Sequence, residues 1–211
     1  MDMTDIVISG SVATGKSTVM KALVDHLKDL DVQVYHEFIY NDPFAQEVLR
    51  KRMRGEISAL TFQNFILDKW FQLELIPRKS INIYERLPDD AVEVFAQSSL
   101  MPDEYGIQLR RLNELSFPKY TDMNKSNCIW IDYTNEIGKD MSSMLSTVSS
   151  MIGKYRYIVI SIKSPSNYEN FKKRNREGEF YTPEQLAKLY ERYDEYMLSK
   201  NKLIECKTID M

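Results

Sequence analysis

Residues Gly10-Ser11-Val12-Ala13-Thr14-Gly15-Lys16-Ser17 fit the pattern Gly-x4-Gly-Lys-Ser/Thr without a mismatch. The context fits as well. Asp5–Ser9 is a short β-branched run that predicts a buried strand, and from about Lys16 to Leu30 the residues Val19, Leu23, Leu27 and Leu30 recur at helical spacing. A strand, a glycine loop and a helix in that order turn backbone N–H groups toward phosphate oxygens, at the positive end of the helix dipole. Lys16 is then placed for the outer phosphates of a nucleoside triphosphate, and the Ser17 hydroxyl for Mg²⁺. The whole segment from Gly10 through Ser11, Val12, Ala13, Thr14, Gly15, Lys16 and Ser17 to Thr18 is the expected phosphate cradle. The chain has only seven glycines, and two of them fall in this loop, where the backbone needs them.

Further segments extend this beginning into a fold. Val32–Phe38, Ser80–Glu85, Cys128–Tyr133, Tyr157–Ile162 and Leu203–Ile209 read as strands, although the sequence gives Cys128–Tyr133 no place in the sheet. Helices are predicted from Asp42-Pro43 to about Arg54, over Ser58–Ile76, from Pro88 to about Leu100, over Asp103–Leu115, Asp140–Ile152 and Tyr168–Arg176, and after the capping box Thr182-Pro183-Glu184-Gln185. Strands alternating with helices imply an α/β three-layer sandwich: a central parallel sheet of about five strands with helices on both faces. No repeat or linker divides the chain, so residues 1–211 are expected to form one domain. Ligands in such sheets bind beyond the carboxyl ends of the strands.

Composition narrows the function. A net charge of −3 argues against a protein that coats a nucleic-acid polymer. No apolar run approaches the ~18 residues of a membrane span. Two cysteines, Cys128 and Cys206, are too few for a disulfide framework or a structural zinc site, and Met1–Asp5 lacks the basic character of a signal peptide. A cytoplasmic protein is expected.

A phosphate loop serves GTPases, motors and small-molecule kinases alike. The Asn-Lys-x-Asp of a GTPase is absent, and the chain is short for a motor, which leaves the kinases. An alcohol acceptor needs a base, whereas a nucleoside monophosphate needs cations. Glu37 lies at the end of the second predicted strand, beside the phosphate loop, where a general base would sit. Glu85-Arg86 ends the third, with Glu85 placed to hold Mg²⁺ and Arg86 to steady the transferring phosphoryl.

These motifs, in this order, resemble the deoxyribonucleoside kinases, the group that includes the multisubstrate, thymidine-type and deoxycytidine-type enzymes. The resemblance covers most of the chain but not about 103–155. It implies the P-loop kinase fold with an arginine-rich lid at about 167–182, and ATP-dependent phosphorylation of a deoxyribonucleoside 5′-hydroxyl for nucleotide salvage, with Mg²⁺. Glu37 would be the base, and Lys16 and Arg86 would act on the phosphoryl. Phe62-Gln63 matches the family's base-reading glutamine, so Gln63 would pair with the nucleobase. Trp70, seven residues further along the same helix, Ala91 and Phe95 would complete the nucleoside site. Ser164-Pro165 and Lys172–Glu179 resemble the lid; Arg174 and Arg176 would clamp the ATP phosphates and Glu179 would approach the 3′-hydroxyl.

Departures are specific. Phe38 follows Glu37 where the family has Pro, and Leu87 follows Arg86 where it has Ser. Val92-Glu93 replaces an arginine after Ala91, which puts a sugar-site ion pair in doubt. Ala91 is similar to the thymidine-type enzymes and slightly favours a pyrimidine, while Trp70 would narrow the base pocket. The Met123–Ser150 region has no counterpart. Two other readings stand beside this one: a thymidylate-type nucleoside-monophosphate kinase, and a nucleotide-binding regulator without turnover. ATP and a deoxynucleoside are the expected partners, with no nucleic-acid polymer and no membrane; family members often form homodimers.

Overall fold

The computed structural model describes residues 3–134, 141–163, 167–174 and 181–211. Six strands, not about five, make one sheet: β1 (Thr4–Ser9), β2 (Val32–Tyr35), β3 (Ile81–Glu85), β4 (Cys128–Tyr133), β5 (Tyr157–Ile162) and β6 (Lys207–Asp210). Their order is β2-β3-β1-β5-β4-β6, and every pairing is parallel. The strand that the sequence left unplaced, Cys128–Tyr133, joins the closing strand to the centre, with Ile129 opposite Ile158 on one side and Lys207 on the other.

The helices are α1 (Lys16–His26), α2 (Phe38–Asn41), α3 (Pro43–Met53), α4 (Ala59–Leu73), α5 (Pro102–Glu114), α6 (Ser142–Met151), α7 (Asn167–Arg174) and α8 (Pro183–Ile204). Side chains alternate across a strand, so each strand feeds two cores. Ile6, Ile8, Ile83, Ile131 and Ile160 pack on α1 and α6 through Val19, Leu23 and Val148. Val7, Tyr84, Trp130 and Val159 face the other way, onto α4, α5 and α8, through Leu67, Leu112 and Tyr193.

Local chemistry sets the helix starts. Asp42 accepts from Phe44 N–H at 2.9 Å with Pro43 in the first turn, Ser58 accepts from Thr61 N–H at 3.1 Å, and Thr182 and Gln185 form the expected capping box. The ends differ more from expectation. The first helix stops at His26, leaving Leu30 52% exposed, because the chain must turn there to enter β2. β2 stops at Tyr35, and Phe38 begins a helix instead of ending a strand. Leu203 remains helical, since the left-handed residue that ends α8 is Glu205 (φ 52°). The helix expected from Pro88 to about Leu100 is a π-helix over Asp90–Ala96, with the Gln97 N–H bonded to the Val92 carbonyl five residues back. Its wide turn buries Asp90, Val92, Val94 and Ala96 while leaving Ala91 and Phe95 half-buried. Such turns are rare and concentrate at functional sites.

Candidate active site

The phosphate loop leaves β1 and enters α1 as expected. Gly10 admits no side chain: a Cβ there would stand 2.7 Å from the Ile162 carbonyl oxygen and 2.8 Å from Thr14 Oγ1. Gly15 (φ 92°) caps α1. Ala13 takes a left-handed backbone (φ 62°), which costs a non-glycine residue about 1–2 kcal/mol. Lys16 is buried, with Nζ donating to the Ser11 carbonyl at 2.7 Å, and Thr14 Oγ1 donates to the same oxygen at 3.0 Å. Val12 turns away from the loop to line the adjoining cavity. Ser17 and Thr18 are exposed at the first turn of α1.

The ends of β2 and β3 complete a polar rim. Ser17 Oγ donates to Glu85 Oε1 at 2.9 Å, and the backbone N–H of Glu37 donates to Glu85 Oε2 at 3.4 Å. Arg86 also takes a left-handed backbone (φ 68°), with its N–H bonded to the Ile8 carbonyl at 3.0 Å. This turn aims its buried guanidinium back under the phosphate loop. Nε and Nη2 donate to the Gly10 carbonyl at 3.3 and 3.2 Å, and Nη1 donates to Glu37 Oε1. The rings of Phe95 and Tyr193 lie 5.3 and 5.6 Å from the guanidinium carbon.

Beyond this rim opens a cavity of about 790 Å³, open solvent at its mouth included. Glu37, Glu85 and Arg86 mark its polar end; Gln63, Trp70, Ala91 and Phe95 are in its apolar wall. Gln63 is buried, and its side-chain amide makes no hydrogen bond among the described residues. A buried amide without a partner suits a ligand with complementary donors and acceptors. Trp70 is 3% exposed and wedged edge-on between Phe38 (6.0 Å) and Phe117 (5.2 Å), so it closes the wall rigidly. The Lys69–Asp42 ion pair (2.7 Å) ties α4 to the N-cap of α3.

The structure thus brings Glu37, Gln63, Trp70, Glu85, Arg86, Ala91 and Phe95 to one cavity, with Lys16 and Ser17 adjoining. Glu93 does not join them: it pairs with Lys200 Nζ at 2.7 Å on α8. Ser164, Pro165, Arg176 and Glu179, and the side chain of Arg174, lie outside the described residues. Sequence reasoning missed Met53 and Tyr181 in the lining, and it missed two buried carboxylates beside Arg86. Asp90 is pushed up to about 6 by burial, against the opposing pull of the Leu87 N–H and of Arg86. Asp89 is pushed up to about 7 by burial and then by the charges of Asp90 and Glu93. The pair Asp89-Asp90 after Pro88 looks like an ordinary helix start, so no signal marked it.

No group of three His, Cys, Asp or Glu able to hold a metal occurs among the described residues. Mg²⁺ does not require one: it is commonly held by one or two protein oxygens together with substrate phosphates. The paired Ser17 hydroxyl and Glu85 carboxylate, beside the phosphate cradle, fit that need. No helix among the described residues is long and apolar enough to cross a membrane.

A phosphate loop at the carboxyl end of a parallel sheet, joined by Glu37 and Arg86 to an apolar cavity, defines a P-loop kinase fold. The deoxynucleoside kinase family model matches residues 6–211. The chain belongs to the deoxynucleoside kinase family. No curated protein matches it in sequence. Among solved structures, that of deoxyadenosine kinase from M. mycoides with bound dATP is similar in fold, with a TM-score of 0.56 at 16% identity over 99% of this chain and 90% of that one.

Proposed function

We propose that the chain transfers the γ-phosphoryl of ATP to the 5′-hydroxyl of a deoxyribonucleoside. The observation that carries this reading is the placement of Glu37. Its carboxylate stands at the boundary between phosphate loop and cavity, held there by Arg86. An alcohol is a poor nucleophile at neutral pH, and a carboxylate at this boundary is placed to take its proton.

ATP lies along Gly10–Thr18 in this reading, with the nucleobase against the Gln63 amide and between the Trp70 and Phe95 sides of the cavity. Glu37 accepts the 5′-hydroxyl proton. Lys16 and Arg86 offset the charge on the transferring phosphoryl, so that catalysis is mainly positioning and electrostatics. Ser17 and Glu85 would hold Mg²⁺, which when bound neutralises phosphate charge. Arg174, Arg176 and Glu179 keep the roles that the family resemblance implies, on the phosphates and the 3′-hydroxyl. The reaction is one of nucleotide salvage.

A monophosphate kinase is the less favoured reading, because the group facing the acceptor is the Glu37 carboxylate, which would repel a second anion. A regulator without turnover does not account for Glu37 and Arg86 joined at the acceptor end. The test is a coupled ATP-consumption assay with thymidine, deoxycytidine, deoxyadenosine, deoxyguanosine and their 5′-monophosphates. Turnover on a nucleoside is expected. Turnover on monophosphates alone would overturn the role given to Glu37, and no turnover on any acceptor would favour the regulator.

A further inference from the structure

Asp90 has no part in the mechanism above, yet it is wholly buried beside it. Its Oδ2 accepts the Leu87 N–H at 2.9 Å and the Ser9 hydroxyl at 3.4 Å, and its Oδ1 accepts the Tyr120 hydroxyl at 3.5 Å. Leu87 and Ser9 stand on two sides of Arg86. Leu87 is the next residue in the chain and so bears on the left-handed turn that aims the side chain. Ser9 immediately precedes Gly10, whose carbonyl accepts two of the guanidinium N–H groups. Tyr193 closes the circuit: its hydroxyl is 2.8 Å from Ser9 Oγ, and its ring lies against the Arg86 guanidinium.

A backbone cap for Leu87 alone would need only a serine or asparagine. Asp90 does more: one oxygen joins two segments distant in sequence, inside a core where an ionised carboxylate is costly. We propose that Asp90 is a positioning residue for phosphoryl transfer: its carboxylate ties the end of β1 to the Arg86 turn and so fixes the guanidinium between the phosphate loop and Glu37. The inference rests on the reading of Arg86 as a group that touches the transferred phosphoryl.

The test compares Asp90→Ala and Asp90→Asn in the parent and in an Arg86→Lys background, with kcat, acceptor KM and thermal midpoint measured for each. The asparagine oxygen can accept from Leu87 and Ser9 while its amide faces the Tyr120 hydroxyl. Asp90→Ala is therefore expected to lower kcat by about tenfold or more, with acceptor KM changed less than about threefold, and Asp90→Asn to restore most of that loss. Within Arg86→Lys, Asp90→Ala should cost less than about twofold, because two residues that act through one interaction are not additive.

A loss of the same size in both backgrounds would overturn the proposal, as would a lowered midpoint with kcat per folded molecule unchanged. If Asp90→Ala does not fold, Ser9→Ala serves, since it keeps the Leu87 cap and removes only the tie to β1. Its kcat loss should vanish within Arg86→Lys, and a loss that persists there overturns the proposal. Parental kcat in Arg86→Lys alone is a separate outcome: it defeats the assignment of Arg86, and the positioning role falls with it.

Discussion

The two faces of the sheet are packed on different principles. The face under α1 and α6 is aliphatic, built on isoleucines from β1, β3, β4 and β5. The face under α4, α5 and α8 is aromatic and threaded with polar groups: Tyr84 bonds to Asp5, Tyr193 to Ser9, and Asp89 and Asp90 are buried near Arg86. A face that only packs can be uniform, because dispersion and apolar burial have no direction. A face that aims a guanidinium needs directional bonds, and each buried polar group it holds must find a partner or cost stability. The cavity lies on that second face.

The sharpest break between the faces is in activity. Glu37→Gln keeps size and hydrogen bonding but removes the proposed base, so kcat should fall about 10²–10⁴-fold with the thermal midpoint little changed. Turnover near the parent value in the coupled assay would remove Glu37 from its role. On the opposite face the effect should be the reverse. Ile160 is wholly buried on the central strand β5, and Ile160→Ala should cost about 2–5 kcal/mol in urea unfolding, with kcat per folded molecule unchanged. A kcat loss without destabilisation would show that the aliphatic face does more than pack.

The same contrast decides what the sequence could reveal. The phosphate loop is contiguous, so Gly10, Gly15, Lys16 and Ser17 declare it in eight residues. β-branched periodicity revealed most strands, and the Thr182 box marked the start of α8. The candidate cavity was legible only through resemblance, since Gln63, Ala91 and Phe95 look like ordinary helix residues until the fold gathers them. Asp89 and Asp90 stayed hidden for another reason. Acids after a proline normally mark a solvated helix start, and only the π-turn and the cover of Tyr120 bury them. The place of β4 depended on long-range pairing that no local pattern encodes.

Asp89 gives a smaller effect with a definite sign. Its Oδ2 has no hydrogen-bond partner among the described residues, and its carboxyl is pushed from 3.8 up to about 7. A folded value above the unfolded one means that the folded state holds the proton more tightly between those limits. Asp89 therefore loses the protein stability as pH rises from about 4 to about 7. Asp89→Asn removes that dependence. It should stabilise by about 1–2 kcal/mol at pH 8, and the advantage should vanish by about pH 4, as read by denaturant unfolding at each pH. An advantage that does not change with pH would mean that the Asp89 carboxyl binds its proton equally well in the folded and unfolded chain, so that burial does not raise it.

The smallest expected effect lies in the phosphate loop itself. Ala13 and Gly10 both stand outside the ordinary backbone regions, but for different reasons. Gly10 is closed to any side chain by the Ile162 carbonyl, whereas Ala13 has a buried methyl that packs in the aromatic core. Ala13→Gly would relieve about 1–2 kcal/mol of left-handed strain. It would also forfeit about 0.8 kcal/mol of methyl burial and add about 0.4–1 kcal/mol of unfolded-state entropy. The terms nearly cancel, so the variant should unfold within about 0.5 kcal/mol of the parent in denaturant. A gain above about 1 kcal/mol would show that strain outweighs packing at this position, and that the loop tolerates the alanine at a cost to stability rather than using it.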